Sequence, residues 1–317
     1  MDKKKKIQAG IALFTTFLVI FFGIQWWRSG RLSHEETGVR IKVAVSIPPL
    51  SEFAARIGGP GIEVVTIVPD GADPHTYEPK PSQLAAIADA DLYIAVGAGL
   101  ESENMWLGKV MSGFDEESII TASDGLELMA NPEGEEDAGE EGERAENEDR
   151  EHGRSDPHVW VSPRNAIHMT ENIYRALAAR DPGHAEEYAA NKETYVDELE
   201  TLDAEIGGAI SEAGVTAFVA AHPSWGYFAR DYGLSQFVID ADGKEAGIER
   251  LKAVIEAAKA ERVTAIVAAP EFPRKTAEAV GAEIGAEVYV ISPLKAGYAE
   301  NIREMERALV KGTTHEE

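Results

Sequence analysis

The sequence predicts an α/β protein of two lobes, each built on a mainly parallel four-stranded sheet with flanking helices, joined by a long rigid helix and preceded by an N-terminal transmembrane helix. Three observations carry this. Short β-branched runs recur in two groups of four, with helix-length amphipathic segments between members of each group. A long helical pattern separates the two groups. An uncharged run of membrane-spanning length follows a cluster of lysines at the start of the chain.

That run comes first. Lys3, Lys4, Lys5 and Lys6 precede an uncharged stretch from Ile7 to Trp27. As a helix it would rise about 31 Å, enough to cross a hydrocarbon core. The lysines before it outnumber Arg28 and Arg31 after it, which places the N-terminus in the cytoplasm and the rest outside. Residues 1–28 are therefore expected to be a cytoplasmic stub and single-pass anchor in the cell membrane, and 29–40 a polar linker. The alternative is a signal peptide whose cleavage leaves a secreted or periplasmic protein. Against it, the run exceeds the usual ~7–15 apolar residues, and Trp26, Trp27 and Arg28 stand where small residues belong.

The first lobe is expected over 41–161, with strands at Ile41–Ile47, Glu63–Val68, Asp91–Gly97 and Ser118–Thr121 and a helix at Ser82–Ala90. Within it, 131–155 carries 11 acidic residues against three arginines and almost nothing apolar, so it reads as a disordered insertion. The connecting segment spans 162–211. Ser162–Pro163 supplies an N-cap followed by proline at the first helical position, and the helix runs to about Arg180. Asp181–Pro182–Gly183 breaks it, and a second helix continues to about Ser211. The second lobe, 212–311, has strands at Thr216–Ala221, Ser235–Asp240, Thr264–Ala269 and Glu287–Ile291 and a helix at Glu245–Glu261. A short tail, 312–317, follows.

Composition narrows the function. A formal net charge of −26 over 317 residues excludes nucleic acid as a partner. The absence of cysteine excludes disulfides, thiolate metal sites and a cysteine nucleophile. Of eight histidines, His34, His152, His168, His184 and His315 stand in linkers, on a solvated helix face or in the tail, where a surface role suffices.

His75, His158 and His222 differ. His75 stands in Asp73-Pro-His-Thr-Tyr77 past a strand, His158 in Asp156-Pro-His-Val-Trp160 leading into the connecting helix, and His222 closes a strand. Ligands of open α/β sheets bind beyond the carboxyl ends of strands, so the three imidazoles can meet in one cleft between the lobes. A proline adjoins each of them, at Pro74, Pro157 and Pro223, and stiffens the backbone that presents it. Three neutral imidazoles suit zinc; manganese would favour more oxygen donors. Asp73 and Asp156 are placed to orient the rings, although Asp before Pro is also a plain turn signal. Hydrogen-bonded core or turn histidines are the structural alternative.

At these motifs the chain resembles the zinc and manganese substrate-binding proteins of metal-importing ABC transporters. The resemblance covers about 41–311 and rests on D-P-H-T-Y-E-P-x-P-S at 73–82, D-P-H-V-W-V-S-P at 156–163 and H-x-x-x-G-Y-F-A-R-D-Y-G-L-x-Q at 222–236. It implies two α/β lobes joined by a rigid helix with the metal between them, and ligands at His75, His158 and His222. It implies Tyr77 and Trp160, with Asp73 and Asp156, as residues surrounding the ligands. Many relatives carry aspartate as fourth ligand where this chain has Ser292, so the fourth donor is expected to be water or Glu271. The family's charged loop before the second ligand is usually histidine-rich; here only His152 stands in it.

The resulting expectation is a monomeric, non-enzymatic protein that captures Zn2+, with Mn2+ as the alternative, and delivers it to an ABC permease with its ATPase. Rival readings are a zinc-dependent hydrolase with Glu271 as base, a metal-stabilised surface adhesion protein, and a binder of an organic solute.

Overall fold

Isoleucine and valine fill Ile41–Val45 (β1), and of its five residues only Lys42 is exposed. Such two-sided burial is what a parallel sheet covered by helices on both faces requires. In the computed structural model, residues 41–110, 115–131, 155–240 and 247–313 are described. β1 lies between Ile62–Thr66 (β2) and Leu92–Ala95 (β3), and Ile119–Thr121 (β4) adds to β3, giving a wholly parallel sheet of order β2-β1-β3-β4. Helices Pro48–Gly58 (α1), Pro81–Ala88 (α2) and Glu101–Val110 (α3) belong to this lobe.

Two helices follow. Pro163–Arg180 (α4) starts where Ser162 Oγ accepts the Asn165 N–H with Pro163 next in line, the expected cap. Ala185–Ala213 (α5) ends on Gly214, whose φ of 66° is the left-handed geometry that stops a helix. The second lobe repeats the first: Ala217–Ala220 (β5), Ser235–Val238 (β6), Ala265–Ala268 (β7) and Glu287–Val290 (β8) form a parallel sheet of order β6-β5-β7-β8. Its helices are Gly226–Tyr232 (α6), Ile248–Ala260 (α7), Lys275–Ile284 (α8) and Tyr298–Thr313 (α9). In each sheet the strand order reverses at the central pair, β1/β3 and β5/β7, and ligands of doubly wound sheets bind outside the carboxyl ends at that point.

One apolar core runs through both lobes. It includes Val43, Ile94 and Phe53 of the first, Ile173, Leu199 and Ile206 of the connecting helices, and Phe218, Val267 and Met305 of the second. A smaller core, with Val219, Ile266 and Val280, fills the far side of the second sheet. α5 packs against α1, α4 and α9, so the connector belongs to the core of both lobes. Across the lobes, Glu52 Oε2 accepts the N–H groups of Gly297 at 3.0 Å and Tyr298 at 2.7 Å.

Among the described residues no helix is long and apolar enough to cross a membrane. The expected anchor over 7–27, the linker, the body of the acidic insertion, the tail beyond Thr313, and His34, His152 and His315 lie outside the described residues. The insertion's flanks sit side by side: Ala130 and Ser155 form an antiparallel bridge, and Asp156 N–H donates to the Met129 carbonyl at 2.9 Å.

Candidate metal centre

The residues after β2, before α4 and after β5 bring three imidazoles together. His75 Nε2 lies 3.1 Å from His158 Nε2 and 3.3 Å from His222 Nε2. Ring centroids are 5.0, 5.2 and 5.3 Å apart. Among the described residues these three form the one group of potential ligand atoms within 4.8 Å of one another. His158 and His222 are buried, while the His75 side chain retains 18% exposure.

Both Asp-Pro-His turns are built alike at the backbone. Asp73 Oδ1 accepts the His75 N–H at 2.9 Å, and Asp156 Oδ1 accepts the His158 N–H at 2.9 Å. They part company at the ring. Asp156 Oδ1 also accepts from His158 Nδ1 at 2.8 Å, whereas the Nδ1 of His75 donates to Glu101 Oε2 at 2.8 Å. The second oxygen of Asp73 takes the Thr76 hydroxyl at 2.7 Å. A carboxylate can only accept, so each Nδ1 carries the proton and each Nε2 keeps its lone pair.

Burial sets the electrostatics. His158 is held below the usual imidazole range by burial, against the pull of Asp156. His222 is pushed down to about 2, by burial first and then by its two imidazole neighbours. Burial would raise the Glu101 carboxyl, but its hydrogen bond to His75 outweighs that and holds it low. Burial thus keeps the His158 and His222 rings neutral, the form that binds metal.

The other expected residues stand around this cluster. The Trp160 ring lies 5.4 Å from His158, and its Nε1–H donates to the Pro293 carbonyl of the second lobe at 2.8 Å. Tyr77 hydroxyl donates to Gln83 at 2.8 Å and its ring meets Trp106 edge-on, tying the end of the His75 loop to α2 and α3. Glu271 is not a member of the ligand group: its Oε1 takes the Ser292 hydroxyl, and its Oε2 is buried without a partner among the described residues. Ser292 itself accepts the Leu294 N–H at 3.1 Å. Two contacts are not evident from the sequence. Phe272 stacks on His222, with centroids 4.5 Å apart and planes at 29°. Glu101, the other, follows a glycine turn at the end of a strand, which is the one local signal of its place.

The nitrogen geometry fits a metal. Zinc bound to imidazole at about 2.0–2.1 Å in a tetrahedron separates its nitrogens by about 3.3–3.4 Å. Two of the three Nε2 separations, 3.1 and 3.3 Å, lie close to that edge.

Comparison with known proteins agrees. Residues 43–312 match the family model of ZnuA, zinc-uptake complex component A periplasmic. The chain is 30% identical over 261 residues to the zinc-binding lipoprotein AdcA of Streptococcus pneumoniae, covering 81% of this chain and 50% of AdcA. It thus spans about half the length of that relative. A putative metal-binding protein of Treponema pallidum is 31% identical over 284 residues, covering 87% of this chain and 85% of its own length. Among solved structures, that of ZnuA superposes with a TM-score of 0.76 at 34% identity, covering 86% of this chain and 99% of ZnuA. With both lobes matched and the shared helical connector between them, the chain belongs to the ZnuA family of zinc-uptake components.

Proposed function

We propose that this protein captures a zinc ion between its lobes with His75, His158 and His222 and hands it to an ABC permease. The observation that carries the reading is the convergence of three Nε2 atoms, 3.1 and 3.3 Å apart, two of them on rings whose other nitrogen is held by a carboxylate. Residues 41–161 supply His75 and His158, 162–211 brace the lobes, and 212–311 supply His222. An all-imidazole donor set favours zinc over manganese, and water completes the coordination, with Glu271 in reserve behind Ser292. Similarity to proteins named as zinc-binding and zinc-uptake components supports the cargo and the importer role. The protein works by binding and release rather than turnover, a reading supported by its similarity to zinc-uptake and zinc-binding proteins.

The uncharged run at 7–27 serves as the anchor that keeps a monomeric binding unit beside its permease and raises its effective concentration there. Elemental analysis of protein purified without added metal, beside the His75→Ala/His158→Ala/His222→Ala variant, tests the cargo. One zinc per chain, lost in the variant, is expected; equal zinc in both would overturn the assignment. Membrane fractionation with and without residues 1–28 tests the anchor, and a full-length chain found only in the soluble fraction would overturn it.

A further inference from the structure

The first turn of α3 holds the His75 loop from several sides. After β3, Gly97, Ala98 and Gly99 take φ of 74°, 53° and 87°, successive left-handed residues that reverse the chain sharply. At Gly97 a side chain has no room: a Cβ would lie 2.3 Å from Thr121 Cγ2 and 2.8 Å from Ser123 Oγ. The reversal delivers Glu101, Ser102 and Glu103 in succession. Buried Glu103 accepts the N–H groups of Val96 at 2.7 Å and Gly97 at 2.9 Å, locking the turn to its own strand. The Ser102 hydroxyl donates to the carbonyl of Pro74, the residue before His75. Glu101 takes the ring at Nδ1. One turn on, Trp106 meets Tyr77 edge-on at 6.5 Å and donates to the Tyr93 hydroxyl at 3.1 Å.

The two Asp-Pro-His turns thus hold their rings differently. Asp156 alone fixes both the backbone and the ring of His158, and its side chain is 3% exposed. At the first turn Asp73 holds the backbone and Glu101, half exposed, holds the ring. Without an acceptor at Nδ1, the proton is free to sit on Nε2, where it blocks the lone pair a cation needs.

We propose that Glu101 is the positioning residue that makes His75 competent to bind metal, fixing its ring and keeping the proton on Nδ1. The proposal rests on the zinc-binding reading of the same site. Carboxylates behind metal-ligating imidazoles typically contribute 10–100-fold in affinity.

The test uses the full chain and zinc alone. Glu101→Ala is expected to raise the zinc Kd by about 10–100-fold in a chelator competition. In the metal-free protein, long-range proton–nitrogen NMR should show the His75 proton on Nδ1, and Glu101→Ala should move part of it to Nε2. A merely structural loss would not shift that tautomer. Wild-type affinity or a wild-type tautomer in Glu101→Ala would overturn the proposal. Should the alanine variant fail to fold by circular dichroism, Glu101→Gln decides: a several-fold rise in Kd supports the role and an unchanged Kd refutes it. If wild-type protein binds no zinc, the underlying reading fails and the tautomer still tests Glu101. If it binds zinc and Glu101→Ala does so equally, only the present inference fails.

Discussion

His75 and His158 face each other through Nε2 atoms 3.1 Å apart, with a carboxylate on the far nitrogen of each ring. Two lone pairs so aimed repel unless a cation stands between them, and His222 brings a third Nε2 atom from the other lobe. The second lobe's contribution is therefore a single ring. His222→Ala is expected to weaken zinc binding by at least ~100-fold, more than loss of a carboxylate behind a ligand. Chelator competition measures this, and near-native affinity would place the ion elsewhere.

Metal-free stability should depend on pH through the buried rings. The folded pKa values of His158 and His222 lie below the ~6.5 of an unfolded imidazole. Below ~6.5 the unfolded chain binds more protons, so the stability these rings contribute is complete above that pH and falls as pH drops towards the folded values. Buried Glu103 acts the other way. Its carboxyl is pushed up to about 7 by burial, so the fold binds the extra proton between about 4.5 and 7 and gains stability as pH falls there. The comparison to make is thus wild type against His222→Asn in urea unfolding at pH 7.5 and 5. The loss on going to pH 5 should be smaller in the variant by about 2 kcal/mol. Equal losses would mean the ring is not buried in its neutral form.

Asp156 and Gly226 are fitted to each other across the lobes. A Cβ on Gly226 would lie 2.8 Å from Asp156 Oδ2, too close for either to stay. Gly226→Ala should push Asp156 off His158, destabilising the fold by about 1–3 kcal/mol and weakening zinc binding about tenfold. Unfolding curves and the same competition assay read the two effects. A variant that keeps its zinc affinity would show that Asp156 does not hold the ligand.

Glu52 caps α9 from the opposite lobe through Gly297 and Tyr298. Glu52→Ala leaves those N–H groups without their acceptor, and a loss of about 1–3 kcal/mol is expected in urea unfolding. An unchanged midpoint would show that the connecting helices alone hold the lobes.

Much of this is legible in the sequence for identifiable reasons. Strands such as Ala217–Ala220 are buried on both faces, which writes them as short unbroken apolar runs. The helix Pro163–Arg180 announces itself through Ser162–Pro163 at one end and Asp181–Pro182 at the other. What local pattern cannot supply is the choice between identical motifs. Asp73 and Asp156 make the same backbone turn, but which carboxylate reaches the ring depends on the neighbour that tertiary packing provides, and for His75 that is Glu101. Phe272 on His222 is hidden for the same reason. Glu271 and Ser292 follow adjacent strands, β7 and β8, and that adjacency pairs them with each other.

Zinc K-edge X-ray absorption on full-length protein loaded with one equivalent of zinc tests three-imidazole capture most directly. Three nitrogen neighbours at about 2.0–2.1 Å with the outer scattering of imidazole rings, plus one oxygen, are the expected result. A coordination sphere made of oxygen alone, without imidazole scattering, would contradict it.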